Sequence, residues 1–235
     1  MRSVMCKNDY DGKQFVFERR TYDEMHGITL CSIVLNEEKN IVDLINHHKP
    51  YVRDIVIIDG GSVDNTMDLA MGSANVLKRI EFPGHFGNQK NRAIEQCITD
   101  WVLFIDADER MSEIALQNLT KLIEQEEYDA YAFPRKNFLD GVYDEEHYPD
   151  FQTRLFRTYC RYVRPVHEEL VGYRAKKDLS DDMAIIHSKG MERHINRNGM
   201  YLSYESKYAN EKGIPGCQTK LNYIDSYGLT VDGGK

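Results

Sequence analysis

Asp106 and Asp108 stand where an apolar run of the sequence ends. The five residues 101–105 are all apolar, which is typical of a strand covered on both faces, as in a parallel sheet. The two acids then emerge at the carboxyl edge of the sheet, where open α/β folds bind ligands. A pair of carboxylates there suits a divalent cation that carries substrate phosphates. The alternative is a solvated strand-to-helix turn in which Ser112 caps the next helix.

A second predicted strand, residues 54–59, has the same form. Its apolar run ends on Asp59, and two glycines and Ser62 follow. The glycines let the backbone turn sharply and approach a ligand closely, and Ser62 or Asp64 can cap the helix that follows. A turn of small polar residues explains the glycines and the serine but not Asp59. Two strands are therefore expected to bring carboxylates to one edge.

Strand and helix patterns alternate from residue 28 to residue 124. Apolar runs predict strands, and apolar residues at a spacing of 3.6 predict the helices between them. The predicted strands are 28–35, 54–59, 75–80 and 101–105, and the predicted helices are 37–48, 64–71, 87–97 and 112–124. Such alternation predicts parallel βαβ units.

The alternation fails after residue 129. Residues 130–134, 153–157 and 183–187 are short strand candidates, and the loops between them are rich in charged and aromatic residues. We therefore expect an α/β protein whose second half is mixed α+β. Residues 191–212 have the pattern of a helix, with tyrosines along one side.

Composition limits the classes of function. The chain has 235 residues, 41% of them hydrophobic, a net charge of -8 and a pI near 5.5. The acidic balance argues against a general nucleic-acid binder, which needs a basic face. Five cysteines without C-x-x-C spacing are typical of reduced thiols and a cytoplasmic location. The sequence lacks a signal-peptide pattern and an apolar run of membrane-spanning length; peripheral membrane contact stays open.

Four motifs together resemble those of the family 2 glycosyltransferases, whose fold is named GT-A. They are Asn-Glu-Glu at 36–38, Asp-Gly-Gly-Ser-Val-Asp at 59–64, Lys-Asn at 90–91 and Phe-Ile-Asp-Ala-Asp at 104–108. The resemblance implies a Rossmann-like, mainly parallel sheet flanked by helices, with a mixed α+β C-terminal half. Ala93 departs from the glycine that many members carry after the basic-Asn pair, which affects only local helix packing.

Within that family the chain is most similar to the lipopolysaccharide-core glucosyltransferase-like branch. Three segments occur in the order found there: Phe-Gly-Asn-Gln-Lys-Asn at 86–91, Arg-Leu-Phe-Arg at 154–157 and Val-His-Glu at 166–168. The resemblance implies an enzyme that moves a sugar from a nucleotide diphosphate donor to a hydroxyl acceptor. It favours a uridine diphosphate sugar, and it favours glycan or lipopolysaccharide-type biosynthesis.

The resemblance also assigns the donor site. Asn36 and Glu37 would border the nucleobase pocket, and Asp59 would hold the base or the ribose. Lys90 would reach toward the pyrophosphate, while Asp106 would handle ribose and metal. Carboxylates accept hydrogen bonds from such N–H and hydroxyl groups, and lysine offers a compact charge for phosphate.

A divalent cation, Mn²⁺ or Mg²⁺, is implied at Asp106 and Asp108. It would neutralise the charge that accumulates on the diphosphate leaving group. His187, near the end of a later strand candidate, is the predicted third protein ligand, and imidazole suits Mn²⁺ better than Mg²⁺. The alternative for His187 is a hydrogen-bonded core histidine.

Glu168 is the predicted general base, with Asp150 as the second candidate. The resemblance places a catalytic carboxylate in His167-Glu168-Glu169. The base takes the proton from the acceptor hydroxyl as it attacks the sugar from the face opposite the leaving group, which inverts the anomeric centre. For both acids the alternative is an ordinary solvated carboxylate.

The expected organisation is a glycosyltransferase domain with two appendages. Residues 28–190 form the domain, with a nucleotide-sugar-binding half at 28–110 and an acceptor and catalytic half at 111–190. Residues 1–27 are an N-terminal extension, and residues 191–235 are a helical appendage and tail. The acceptor is a glycan, a lipid-linked glycan or another hydroxyl compound. The sequence gives no prediction of oligomeric state.

Two other classes compete with this hypothesis. One is a non-catalytic module that binds a nucleotide sugar without turnover. The other is a phosphatase whose aspartyl nucleophile also lies in a D-x-D motif. The phosphatase is less favoured, because its motif would follow the first strand and have Thr or Val where this chain has Arg110.

Overall fold

The computed structural model describes residues 26–190 together with Tyr201 and Tyr204. The predicted extension 1–27 and the predicted helix and tail 191–235 therefore lie almost wholly outside the described residues. None of the described helices is long and apolar enough to cross a membrane.

The first half has the predicted alternation of strands and helices. Its strands are β1 (Ile28–Val34), β2 (Asp54–Asp59), β3 (Val76–Arg79), β4 (Trp101–Phe104) and β5 (Glu109–Met111). Its helices are α1 (Ile41–His48), α2 (Thr66–Ala70), α3 (Phe86–Ile94) and α4 (Glu113–Ile123). Every predicted element of this half is present. The short strand β5 was not predicted.

The ends of the helices have local causes. Helix α1 begins four residues later than predicted, because the carbonyl of Glu37 accepts the amides of Asn40 and Ile41 in a preceding turn. Ser112 caps α4 as predicted, since its hydroxyl accepts the amide of Ala115 at 3.2 Å. Before α2, Asp64 accepts the amide of Thr66 at 3.0 Å.

The second half consists mainly of strands. They are β6 (Ala130–Leu139), β7 (Val142–Tyr143), β8 (Asp150–Arg157), β9 (Arg161–Val163), β10 (Glu169–Val171), β11 (Lys176–Asp178) and β12 (Ile185–Lys189). Strand β12 begins two residues later than predicted, because Asp181–Met183 forms a 3-10 turn. The loop rich in charge between β9 and β10 contains Glu168.

One ten-stranded sheet joins the two halves, in the order β3-β2-β1-β4-β8-β6-β12-β5, with β7 and β11 also paired to β6. Strands β1 to β4 run parallel, whereas β8 is antiparallel to both β4 and β6. Strands β9 and β10 form a separate antiparallel pair. The expected α/β sheet with a mixed second half is confirmed.

Strand β4 is covered on both faces. Trp101 and Leu103 belong to the apolar cluster beneath α1 and α4, and Val102 and Phe104 belong to the cluster on the side of α3. Each of these side chains is fully buried. Ile105 is buried as well, and Asp106 is the first partly exposed residue after the strand, with Ala107 and Asp108 buried again behind it. The packing thus fixes the point at which the D-x-D motif emerges.

Candidate functional site

A cleft of about 1000 Å³ opens where the polar ends of the strands meet. It contains residues that follow β1 and β4, residues of β6, β8 and β12, and the loop between β9 and β10. The predicted site residues that line it are Glu37, Lys90, Asp106, Asp108, Asp150, Glu168 and His187. Asn36 and Asp59 are not among the described lining residues.

Asp59 is fully buried and shapes the turn after β2. Its carboxylate accepts the amides of Gly61 at 3.1 Å and Ser62 at 3.0 Å, and Arg79 donates to it at 3.0 Å. Gly61 has a φ of +113°, which a residue with a side chain rarely adopts. The carboxylate that the sequence assigned to a nucleoside therefore has a structural role in the fold; its contact with a ligand stays a prediction.

Asn36 ties the end of β1 to the same turn. It adopts a φ of +55°, its amide donates to the Ser62 hydroxyl at 2.8 Å, and its side-chain oxygen accepts the amide of Val63 at 2.9 Å. Glu37 follows it and is buried, with an amide that donates to the Thr66 hydroxyl at 2.7 Å. The two predicted nucleobase residues thus link β1 and β2 at the sheet edge.

A chain of alternating charges runs along the wall of the cleft. Arg154 is 3% exposed and donates to Asp106 at 2.7 Å and to Glu109 at 2.6 Å. Glu109 is fully buried and also accepts from Arg135 at 3.0 Å, and Arg135 in turn binds Asp150. Buried charges require partners of opposite sign, which explains why these groups pair. The pairs connect the end of β4 to β6 and β8.

Sequence reasoning gave no role to Arg135, Arg154 or Glu109. Burial alone lowers the pKa of Arg154, but the carboxylates of Asp106 and Glu109 outweigh burial and raise it well above its ordinary value. Arg154 therefore remains a fixed cation under the D-x-D motif. The available signal was the pair of arginines at 154 and 157, in a segment otherwise predicted as a strand.

Lys90 and Glu168 approach each other across the cleft. Lys90 is 7% exposed, and its Nζ lies 3.4 Å from Oε1 of Glu168. The ammonium also lies over the ring of Tyr162, 4.8 Å from its centroid. Burial lowers the pKa of Lys90, but the carboxylates of Glu168 and Asp106 outweigh it, so the net pKa is raised. Lys90 is thus a permanent positive charge at this site.

Helix α3 holds the hairpin that carries Glu168. The side-chain amide of Asn91 donates to the carbonyl of Tyr162 at 2.9 Å, and its oxygen accepts the Tyr162 amide at 2.8 Å. The amide of Phe86, at the start of α3, donates to the carbonyl of Pro165 at 2.8 Å. The Lys-Asn motif therefore contributes one residue to the cleft and one to the support beneath it.

Gly87 permits the close approach of this hairpin. A Cβ at this position would lie 2.6 Å from the carbonyl oxygen of Arg164, a distance that real Cβ atoms do not reach. The hairpin loop itself adopts left-handed backbone at Arg164, with a φ of +74°, and at His167, with a φ of +49°. A residue with a side chain adopts such angles at an energetic cost. Residues in this conformation concentrate at functional sites.

Asp108 and His187 face each other, and both are buried. Oδ2 of Asp108 lies 3.5 Å from Nε2 of His187. The other ring nitrogen, Nδ1, lies 2.7 Å from Oδ1 of Asn137, whose amide nitrogen donates to Asp150 at 3.2 Å. With the Asn137 oxygen as the acceptor of Nδ1–H, Nε2 is the ring nitrogen that faces Asp108.

Asp108 and His187 fit a divalent cation. Ligand atoms at ~2.1 Å from a metal lie roughly 3.0–3.5 Å apart, which matches the spacing of this pair. Asp106, the third predicted ligand, instead binds Arg154. Within the described part of the chain, no three His, Cys, Asp or Glu side chains form a metal-binding group. The structure thus brings together two of the three predicted ligands.

Asp150 differs from Glu168 in its surroundings. Its carboxylate accepts from Arg135 at 2.9 Å, from Gln152 at 2.6 Å and from Asn137 at 3.2 Å. Burial raises its pKa, but Arg135 and these hydrogen bonds outweigh burial and lower it overall. A carboxylate engaged by three side chains is poorly suited to accept a proton from a substrate, and the choice of Glu168 over Asp150 as the base stays a prediction.

The chain belongs to the family described as Glycosyl transferase family 2, which matches residues 29–192. The matched range contains all of the predicted site residues. Membership of this family also removes support for the phosphatase alternative.

Known proteins share the fold and part of the sequence. An uncharacterized glycosyltransferase of Rickettsia felis is 25% identical over 86% of this chain and 69% of its own length. A TPR repeat-containing protein of Synechococcus elongatus is 29% identical over 61% of this chain but only 35% of its own length. The structure of S. aureus TarS in complex with UDP-GlcNAc has a TM-score of 0.54 and 19% identity, covering 69% of this chain and 58% of that one. The chain thus spans about one third to two thirds of these proteins, and the TarS likeness confirms the GT-A type of fold.

Proposed function

We propose that this chain is a metal-dependent, inverting glycosyltransferase that moves a sugar from a uridine diphosphate donor to a hydroxyl acceptor. We further propose that it acts in glycan or lipopolysaccharide-type biosynthesis, as the resemblance to the lipopolysaccharide-core branch suggests. TarS binds UDP-GlcNAc, and we extend that class of donor to this chain. The reduced thiols Cys31, Cys97 and Cys160 support a cytoplasmic location.

The observation that carries the proposal is the arrangement of two pairs in one cleft. Asp108 and His187 form a donor pair with the spacing of metal ligands, and Lys90 and Glu168 form a cation and carboxylate pair. A nucleotide diphosphate needs a cation at its phosphates, and an acceptor hydroxyl needs a base. The cleft supplies both.

In the proposed reaction, each of these residues has a distinct role. Asp108 and His187 would hold Mn²⁺ or Mg²⁺, with Asp106 bordering the ribose and the ion. The ion, when bound, neutralises the charge that develops on the departing diphosphate. Lys90 adds a fixed positive charge for the pyrophosphate. In this proposal Asn36, Glu37 and Asp59 shape the nucleoside end of the site.

Glu168 accepts the proton of the acceptor hydroxyl. The acceptor oxygen forms a bond to C1 of the sugar while the bond from C1 to the diphosphate oxygen breaks. The attack comes from the face opposite the leaving group and inverts the anomeric centre. General-base catalysis of this kind contributes about 10²- to 10⁴-fold to the rate.

A non-catalytic nucleotide-sugar-binding module is the second candidate. The ion pair between Lys90 and Glu168 favours it, because one of the two carboxylate oxygens that could take a proton already faces a lysine. The two candidates differ in turnover. The module would bind the donor but transfer its sugar neither to water nor to an acceptor, so no UDP would be released.

Calorimetry and a turnover assay test the proposal. The chain is titrated with UDP and with UDP-glucose or UDP-GlcNAc in the presence of Mn²⁺ and, separately, of EDTA. We expect donor binding with Mn²⁺ that weakens by at least about tenfold in EDTA, and release of UDP when acceptors are added. Equal affinity with Mn²⁺ and EDTA would contradict the metal assignment. Binding without UDP release would favour the non-catalytic module.

A further inference from the structure

Three aromatic rings lie beside the loop that carries Glu168. Tyr201 packs edge-on against Phe86, with 5.4 Å between ring centroids, and against His167, with 6.0 Å. Phe86, His167 and Tyr201 all line the same cleft as Glu168. We call these three residues the aromatic shelf. It stands in the part of the cleft next to the proposed base.

His167 is held in place at an energetic cost. It directly precedes Glu168 in sequence, its side chain is exposed, and its φ is +49°. A residue with a Cβ seldom adopts this region. Backbone in this region concentrates at functional sites, and here it places the His167 ring at the cleft beside Tyr201.

Tyr201 and Tyr204 are one helical turn apart but have different surroundings. Tyr204 contacts the rings of Phe82 at 5.6 Å and Phe86 at 6.3 Å, and it lies 3.5 Å from the position of a Cβ on Gly84. It is not among the described residues that line the cleft, whereas Tyr201 is. Tyr204 therefore packs this turn against Phe82 and Phe86, whereas the ring of Tyr201 lines the cleft.

We propose that the aromatic shelf is a binding site for a pyranose ring of the acceptor. This inference rests on the proposed function and names the chemistry of its second substrate. A pyranose presents C–H groups on its faces, which pack against aromatic rings, and hydroxyls around its edge, which need polar partners. Arg164 and Glu169 line the same part of the cleft and supply such partners. A sugar on the shelf has a hydroxyl within reach of Glu168.

Ligand-observed NMR on the full chain tests the shelf. The probes are the methyl glycosides of glucose, galactose and N-acetylglucosamine, each measured with UDP and Mn²⁺ present. We expect at least one glycoside to bind the parent chain, and Tyr201→Ala to weaken it about tenfold. Tyr201→Phe keeps the ring and should bind like the parent. Tyr201→Leu keeps apolar volume without the ring and should bind like Tyr201→Ala.

Tyr204→Ala is the matched control. It removes a tyrosine of the same turn that packs against Phe82 and Phe86 but does not line the cleft, so glycoside affinity should fall clearly less than in Tyr201→Ala. The shelf is overturned if none of the glycosides binds, if Tyr201→Leu binds as the parent does, or if Tyr201→Ala and Tyr204→Ala weaken binding equally. UDP titrated in the same samples separates the two proposals. UDP binding without glycoside binding rejects only the shelf, and the absence of UDP binding rejects the proposed function.

Discussion

The ends of β2 and β4 carry aspartates in similar sequence contexts but place them in different environments. Asp59 ends β2 fully buried, and two backbone amides and Arg79 donate to its oxygens. Asp108 follows β4 and lies 3.5 Å from a ring nitrogen of His187 at the wall of the cleft. An acid that is saturated by backbone N–H groups shapes a turn. An acid that faces a second possible metal ligand is one that we assign to the proposed cation site.

The same contrast recurs in the second half of the sheet. Asp150 accepts from three side chains, whereas Glu168 lies 3.4 Å from Lys90. The hydrogen bonds of Asp150 fix its position within the chain of alternating charges along the cleft wall. Each half thus holds one acid that supports the fold and one that we assign to the reaction.

The largest effect is expected for Asp108→Asn. The change keeps volume and removes the charge that would bind the cation, so turnover should fall on the order of 10³-fold or more, since a metal supplies several kcal/mol of charge stabilisation. UDP release measures the loss, and calorimetry should show that Mn²⁺ no longer strengthens UDP binding. Asp59→Asn is the control and should retain the difference between Mn²⁺ and EDTA. If Asp108→Asn also retains it, Asp108 is not a ligand.

Glu168→Gln is expected to lower kcat by about 10²- to 10⁴-fold while donor affinity and fold persist. The reason is that glutamine cannot accept the acceptor proton. Asp150→Asn is the matched comparison, since both changes remove one charge and preserve size. Should Asp150→Asn abolish turnover while Glu168→Gln stays within about threefold of the parent, the assignment of the base would pass to Asp150.

The first half of the fold was predictable from sequence because each element depends on local pattern. The apolar run at 101–105 fills a strand covered on both faces, and this places Asp106 at the edge. The cap at Ser112 is likewise local, because its hydroxyl binds an amide only three residues later in the chain. The second half was predicted only as short strands, because pairing of β8 between β4 and β6 depends on contacts distant in sequence.

The acidic residues of the candidate site could be predicted from the sequence, but the groups that bind them could not. The two arginines at 154 and 157 in a predicted strand were too weak a signal to assign this role to Arg154, since a charged residue in a strand pattern is ordinarily solvated. Only the fold shows that it lies under Asp106 and Glu109. The hydrogen bonds that the turn amides donate to Asp59 could not be predicted either, because a backbone amide is present at almost every residue.

Asp59→Asn is expected to act on stability more than on chemistry. Loss of the charge leaves Arg79 and the turn amides with a weaker acceptor, so the free energy of unfolding should fall by roughly 1–3 kcal/mol. Urea denaturation measures this change. If Asp59 also contacts the nucleoside, affinities for UDP and for the intact donor should weaken by the same factor. Weakening of the intact donor alone would instead place Asp59 at the sugar.

The smallest effect is expected for Asn91→Asp, which tests the support of Glu168 rather than Glu168 itself. The aspartate still accepts the Tyr162 amide but cannot donate to the Tyr162 carbonyl, so the hairpin that carries Glu168 loses one of two clamping bonds. We expect kcat to fall about tenfold with the UDP affinity within about twofold of the parent.

Gln89→Glu is the matched control for Asn91→Asp, because Gln89 lies on the same helix and its amide donates to the carbonyl of Ile80 at 2.7 Å, away from the hairpin. Both variants replace an amide by a carboxylate on α3, and both should lower the midpoint of thermal unfolding. Only Asn91→Asp should lower kcat at a temperature where both remain folded. If the two variants lose kcat equally, the loss reflects the stability of α3 in general. Asn91 would then have no specific role in positioning Glu168.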